Sequence, residues 1–247
     1  MIPFKSTPRK MNIPPASAIK PICLAGLLVA LSGCSQKFND VNDTIKLAVF
    51  GDPDISLTRE DINRSPYASI YAQIDNGPQA FMVLALAEKE HTLSTNPTTA
   101  PAPQQLKWVS ADKGMLVTQS GRLVKTLNLP QGNLVSVHSA QPDPLALGLH
   151  LSDTPHQWQA TYDWQPGYHY GYIGNSTFSL QGNNTIVINQ TAVETLHVIE
   201  TVNFDTIDIS YQNHYWLNPT TGTVMKSSQH LAPTLPVVTL TVLKPFS

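Results

Sequence analysis

Cys34 follows Leu31, Ser32 and Gly33. An aliphatic residue and two small ones ahead of a thiol mark a cysteine that carries lipid once a secretory leader is cut away. Lys5, Arg9, Lys10 and Lys20 stand upstream, and an apolar run extends from Pro21 to Leu31. That run is too short to cross a hydrocarbon core, which needs roughly 20 residues. Five prolines up to its first residue (Pro3, Pro8, Pro14, Pro15 and Pro21) would break a core helix. Residues 1–33 therefore read as a lipoprotein signal peptide removed before Cys34, with 34–43 as a lipidated tether. Met11 is an alternative start, because Lys20 would still supply the basic head.

Other residues offer weaker chemistry. Asp52 and Asp54 flank Pro53 and could act as paired carboxylates or bind a cation. Ahead of a helix, they more simply form a turn and assist its N-terminus. The eight histidines show no HxH or HExxH spacing, so no metal is expected. Ser69, Ser120 and Ser136 lack a GxSxG setting, and no phosphate-binding glycine loop occurs, so no cofactor is expected either. Tyr162 and Trp164 alternate along one expected strand; Tyr168, Tyr170 and Tyr172 are expected on one face of the next. Such rings can stack on sugars or fill a core, and core packing is the favoured reading. Arg122, just after Gly121, could pair with an acidic sugar, with a partner's carboxylate, or with an acid inside the protein.

The elements that position these residues are short strands. Thr58-Arg59-Glu60-Asp61 is a capping box for a short helix ending before Pro66, and Val41 to Phe50 suggests another. Strands follow at 68–74, 80–87, 106–109, 115–119 and 123–127, broken by turns such as Asp112-Lys113-Gly114 and Ser120-Gly121. A looser Pro- and Asp-rich region spans 141–155. Strands resume at 156–164, 168–173, 177–180, 185–189, 194–203, 205–212, 213–217, 223–229 and 237–243. The pattern predicts an all-β domain over 44–247: large antiparallel meander sheets, curled or barrel-like, with one or two short N-terminal helices. Residues 91–105, rich in Thr, Pro and Ala, read as a long flexible loop.

Composition narrows the partners. Both cysteines, Cys23 and Cys34, are accounted for by the leader and the lipid site, so no disulfide is available and an apolar core must hold the fold. The leader takes four of the 15 Lys and Arg residues, leaving 11 against 17 acids and a net charge near −6. No basic run remains for nucleic acid. Attachment to the membrane falls to the acyl chains. Ser35, standing where Asp would favour inner-membrane retention, points to the outer membrane, with the domain facing the periplasm.

Several segments then fall into a familiar order: Gly51-Asp52-Pro53-Asp54-Ile55, Pro66-Tyr67-Ala68-Ser69-Ile70 and Trp108-Val109-Ser110-Ala111-Asp112 come first. Gly121-Arg122-Leu123-Val124-Lys125-Thr126, Tyr215-Trp216-Leu217-Asn218-Pro219-Thr220-Thr221-Gly222 and Leu243-Lys244-Pro245-Phe246 complete the set. The chain from about Cys34 onward resembles the YjbF/GfcB family of lipoproteins from capsule and exopolysaccharide gene clusters. The resemblance implies an outer-membrane lipoprotein, largely antiparallel β, associated with making or exporting an extracellular polysaccharide. The expected role is non-enzymatic, through contact with the glycan or with export-machinery proteins. Alternatives are a carrier of hydrophobic cargo in a curled sheet, or a polysaccharide-modifying enzyme.

Overall fold

The computed structural model describes residues 54–89 and 104–246. The expected leader, Cys34, the expected helix over Val41 to Phe50, Asp52 and most of the expected loop at 91–105 lie outside the described residues. Twelve strands form one sheet, every neighbouring pair antiparallel. In chain order they are β1 Ser69–Ile74, β2 Gln79–Lys89, β3 Gln104–Val109, β4 Met115–Gln119, β5 Arg122–Leu127 and β6 Asn133–His138. Then follow β7 Gln157–Gln165, β8 His169–Ile188, β9 Thr191–Phe204, β10 Ile209–Leu217, β11 Val224–His230 and β12 Val237–Lys244. The spatial order β5-β4-β3-β2-β1-β12-β11-β10-β9-β8-β7-β6 is two meanders joined where the last strand returns to the first. Ile70 there faces Val242, and Ala72 faces Leu240.

The sheet curls until its edges, β5 and β6, come together, giving the barrel-like all-β fold expected from the strand pattern. Side chains stitch this seam. Thr126 Oγ1 accepts from the Leu134 amide at 2.9 Å and donates to Asn133 Oδ1 at 3.3 Å, while Asn133 Oδ1 also accepts from the Leu129 amide at 3.1 Å. Thr126 is fully buried. Thr126→Val keeps its volume but leaves the Leu134 amide without an acceptor. It is expected to cost about 1–3 kcal/mol in urea unfolding.

Strand periodicity decides what faces inward. Along β9, Val198, Glu200, Val202 and Phe204 are buried, and the residues between them are half-exposed. The inward rows of the sheet build one core, including Ile70, Met82, Trp108, Trp164, Phe204 and Leu217. A smaller cluster lies on the outer face, where Tyr71, Phe81 and Val83 are covered by Ile55, Leu57 and Tyr67. There the Leu57 amide donates to the Tyr71 hydroxyl at 2.7 Å. Helix α1, Arg59–Arg64, starts at Thr58, whose hydroxyl accepts from the Asp61 amide, and stops at Ser65 before Pro66, as the capping box predicts.

Five elements differ from expectation. A second helix, α2 at Pro144–Leu147, lies in the stretch read as loose; Asp143 caps it and Gly148 ends it in the left-handed region. The segment 133–138 carried no strand expectation yet forms β6, a strand with one buried residue and a bulge between Leu134 and Ser136 that breaks its alternation. The three strands expected between 168 and 189 are one 20-residue strand, β8. The bulge at Leu180 to Gly182, with Gly182 at φ +99°, bends the strand without ending it. Asp205–Asp208 belongs to the β9–β10 turn, and β3 begins at Gln104, inside the stretch read as loop.

Candidate functional site

Arg122 sits at the first position of β5 with its side chain turned into the barrel, only 2% exposed. The β4–β5 turn sets this direction. Ser120 and Gly121 have φ +50° and +88°, and a Cβ on Gly121 would fall 2.4 Å from Val224 Cγ2, so the turn admits only glycine there. A buried guanidinium needs partners on every edge. Arg122 donates to Asp143 through Nε at 2.5 Å and Nη2 at 3.2 Å, and to Glu200 Oε2 through Nη1 at 2.9 Å. Its Cζ lies 4.4 Å from the centre of the Trp158 ring, a cation–π contact. The aspartate that caps α2 is thus also the carboxylate that anchors β5.

Glu200 is completely buried on β9. Its Oε2 accepts from Asn213 at 3.0 Å and from the Tyr215 hydroxyl at 2.9 Å as well as from Arg122. Burial by itself would raise the Glu200 carboxyl; the Arg122 charge and the bonds from Arg122 and Asn213 outweigh it and hold the group below its ordinary value. Burial lowers the guanidinium's affinity for a proton, but Asp143 and Glu200 more than restore it, so Arg122 stays charged. Gln229 extends the network, donating to Gly121 O at 2.9 Å and accepting from the Leu123 amide at 2.9 Å. Its charges meet inside the barrel, the Arg122 guanidinium standing between the Asp143 and Glu200 carboxylates.

The aromatic set divides. Tyr162 and Trp164 are buried in the core. Tyr162 meets Phe204 edge-on at 5.2 Å, and His169 lies parallel on Trp164 at 4.6 Å. Burial pushes the Tyr162 hydroxyl up. Tyr168, Tyr170 and Tyr172 do not share one face. Tyr162 faces Tyr172 while Trp164 faces His169, so an extra residue is accommodated around Gly171 at φ +73°. Tyr172 consequently leans on Trp164 at 4.7 Å, whereas Tyr168 and Tyr170 are 95% and 53% exposed.

Asp54 is exposed, and its Oδ1 accepts from the Gln79 amide at 2.9 Å, so it caps β2 rather than α1. Asp54→Asn retains a carbonyl acceptor and is expected to change unfolding free energy by less than about 1 kcal/mol, read by urea denaturation. On the outer face His197 Nε2 and His214 Nδ1 are 3.1 Å apart and both stack near Trp216. Partial burial, aided by the His214 neighbour, lowers the His197 pKa. Among the described residues no group of three or more His, Cys, Asp or Glu side chains is placed to hold a metal ion.

Asp143, Glu200, Asn213, Tyr215 and Gln229 were not singled out in the sequence. Glu200 leaves a trace there, as an acid within an apolar alternating row (Val198, Val202, Phe204), which is where a buried ion pair belongs. A cavity of about 440 Å³ was equally illegible; it opens at the barrel end formed by the β4–β5 turn, α2, the β10–β11 turn and Phe246.

Comparison with known proteins places this architecture. Residues 42–243 match the family model described as group 4 capsule polysaccharide lipoprotein gfcB, YjbF. The chain is 31% identical to the uncharacterized lipoprotein GfcB of Escherichia coli K12 over 228 residues, 92% of this chain and 99% of that one. It is 32% identical to the uncharacterized lipoprotein YjbF of the same organism over 219 residues, 88% of this chain and 94% of that one. The crystal structure of the hypothetical lipoprotein YmcC from E. coli K12 superposes with a TM-score of 0.65 at 31% identity, covering 78% of this chain and 91% of that one. A twelve-stranded, nearly closed antiparallel barrel and a family match over most of its length thus agree, and the chain belongs to the YjbF family of capsule polysaccharide lipoproteins.

Proposed function

We propose that the mature protein, acylated at Cys34, sits on the periplasmic face of the outer membrane and assists assembly or export of a capsule or other extracellular polysaccharide. It does so by contacting the glycan or an export protein, without catalysing a reaction. The observation that carries this reading is the match to a capsule polysaccharide lipoprotein family across residues 42–243. The barrel interior supports it. Arg122, Asp143 and Glu200 are consumed in pairing with one another, and bulky side chains such as Trp164, Phe204 and Tyr215 fill the centre. A hydrophobic carrier would instead need a large apolar cavity. Among the described residues Tyr168 and Tyr170, on the β7–β8 turn and the start of β8, are with Phe246 the exposed aromatic residues available for outward contact.

A clean deletion in the source bacterium tests the proposal. Surface polysaccharide is expected to fall, to be restored by the wild-type gene, and to stay low with Cys34→Ala, whose product is expected to lose palmitate labelling and membrane attachment. Unchanged polysaccharide in the deletion strain, or full rescue by Cys34→Ala, would overturn the corresponding part.

A further inference from the structure

The cavity at the end of the barrel has the size and lining of a small-molecule site. Its volume, about 440 Å³, lies within the roughly 300–1,000 Å³ of such sites. Trp108 contributes to its lining, only 4% exposed and held by a bond from Nε1 to Thr118 Oγ1 at 2.9 Å. Phe246, 43% exposed, supplies a second ring. The lining mixes hydroxyl and amide residues such as Gln104, Ser120 and Thr221 with aliphatic ones such as Leu106, Leu145 and Val242. Among the described residues the lining holds no Lys, Arg, Asp or Glu, and Arg122 is paired with Asp143 and Glu200.

His150 is the titratable group in the lining. Its ring is wedged against Gly222, where a Cβ would lie 2.3 Å from Nδ1. That nitrogen is buried without a hydrogen-bond partner in the protein. Four of the segments that carry the family resemblance contribute to this mouth through Trp108, Gly121, Gly222 and Phe246.

We infer that this barrel mouth binds uncharged sugar residues, one or two rings of a glycan chain. The inference names a ligand for the role proposed above and rests on that role. Sugar C–H faces stack on aromatic rings while their hydroxyls pair with side-chain hydroxyls and amides. An acyl chain of similar volume would leave those polar groups facing hydrocarbon, an unfavourable exchange. An acidic sugar would find no Lys or Arg among the described residues of the lining.

The full lipidated protein in detergent micelles is titrated with di- to hexasaccharides released from the source bacterium's own extracellular polysaccharide, followed by calorimetry. Saturable binding is expected, unchanged by raising salt because no ion pair forms. Ala146→Trp and Thr221→Trp, each enlarging an exposed residue of the lining, are expected to weaken binding by about tenfold or more. Their unfolding midpoints verify that the fold persists. Absence of binding, strong salt dependence, or binding that survives both variants in folded protein overturns the site, as does laurate binding the cavity in place of sugar. A deletion strain that loses surface polysaccharide while the oligosaccharides fail to bind rejects this cavity alone. An unaffected deletion strain rejects the broader role.

Discussion

Glu200→Ala is expected to lower the unfolding free energy by about 3–5 kcal/mol, the usual cost of leaving one member of a buried ion pair without its partner. The variant leaves Arg122 Nη1 only its 3.3 Å bond to the Tyr215 hydroxyl and removes the acceptor of the Tyr215 and Asn213 bonds within a site that water does not reach. Arg122→Met combined with Glu200→Leu is expected to cost less than the two single changes together, because neither charge is then left alone; Asp143 retains some contact with water. Urea unfolding of the four proteins measures that difference. A purely additive result would mean that the pair is not coupled as its geometry indicates.

The same group sets an acid limit. Folding holds Glu200 below its ordinary value of 4.5. Its contribution is therefore complete above that value and is lost as pH falls through the lower, folded value. Stability of the wild type is expected to decline on acidification below about pH 4.5. Glu200→Gln, already weaker at neutral pH, is expected to show a shallower decline.

Trp164→Ala is expected to cost about 3–5 kcal/mol, as for other large aromatic side chains deleted from a core. Trp164 is 1% exposed and in contact with His169, Tyr172 and Phe204, so its removal opens a cavity that three rings line. Tyr168→Ala, four residues away, is expected to change stability by less than about 0.5 kcal/mol, because that ring is almost wholly in solvent. Thermal unfolding separates the two, and polysaccharide output of the Tyr168 and Tyr170 variants then reports contact without interference from folding.

Much of the barrel was legible because strand signals are local. The two hairpin turns run left-handed at Lys113 and at Ser120 and Gly121, each beside or at the glycine that marks the turn in the sequence. The capping box located α1 for the same reason. The sequence of β8 suggests three strands because glycine looks alike at a turn and at a bulge; only the partner strand β9, running alongside from Asn175 to Ile188, distinguishes them. β6 escaped because its one buried residue and its bulge leave no alternation to detect. α2, four residues long, is too short to show helical periodicity.

The amino-acid order by itself determined the family, the antiparallel all-β class and the direction of most side chains, since turn chemistry and period-two alternation act over a few neighbouring residues. Tertiary structure decided the rest. Arg122 meets Asp143, Glu200 and Tyr215 across 21, 78 and 93 residues of chain, and the mouth collects residues from Gln104 to Phe246. Contacts of that separation exist only once the first and last strands pair and the sheet curls shut. Which Arg is buried, which tyrosine is exposed and where a ligand fits are consequences of that closure, and no local pattern records them.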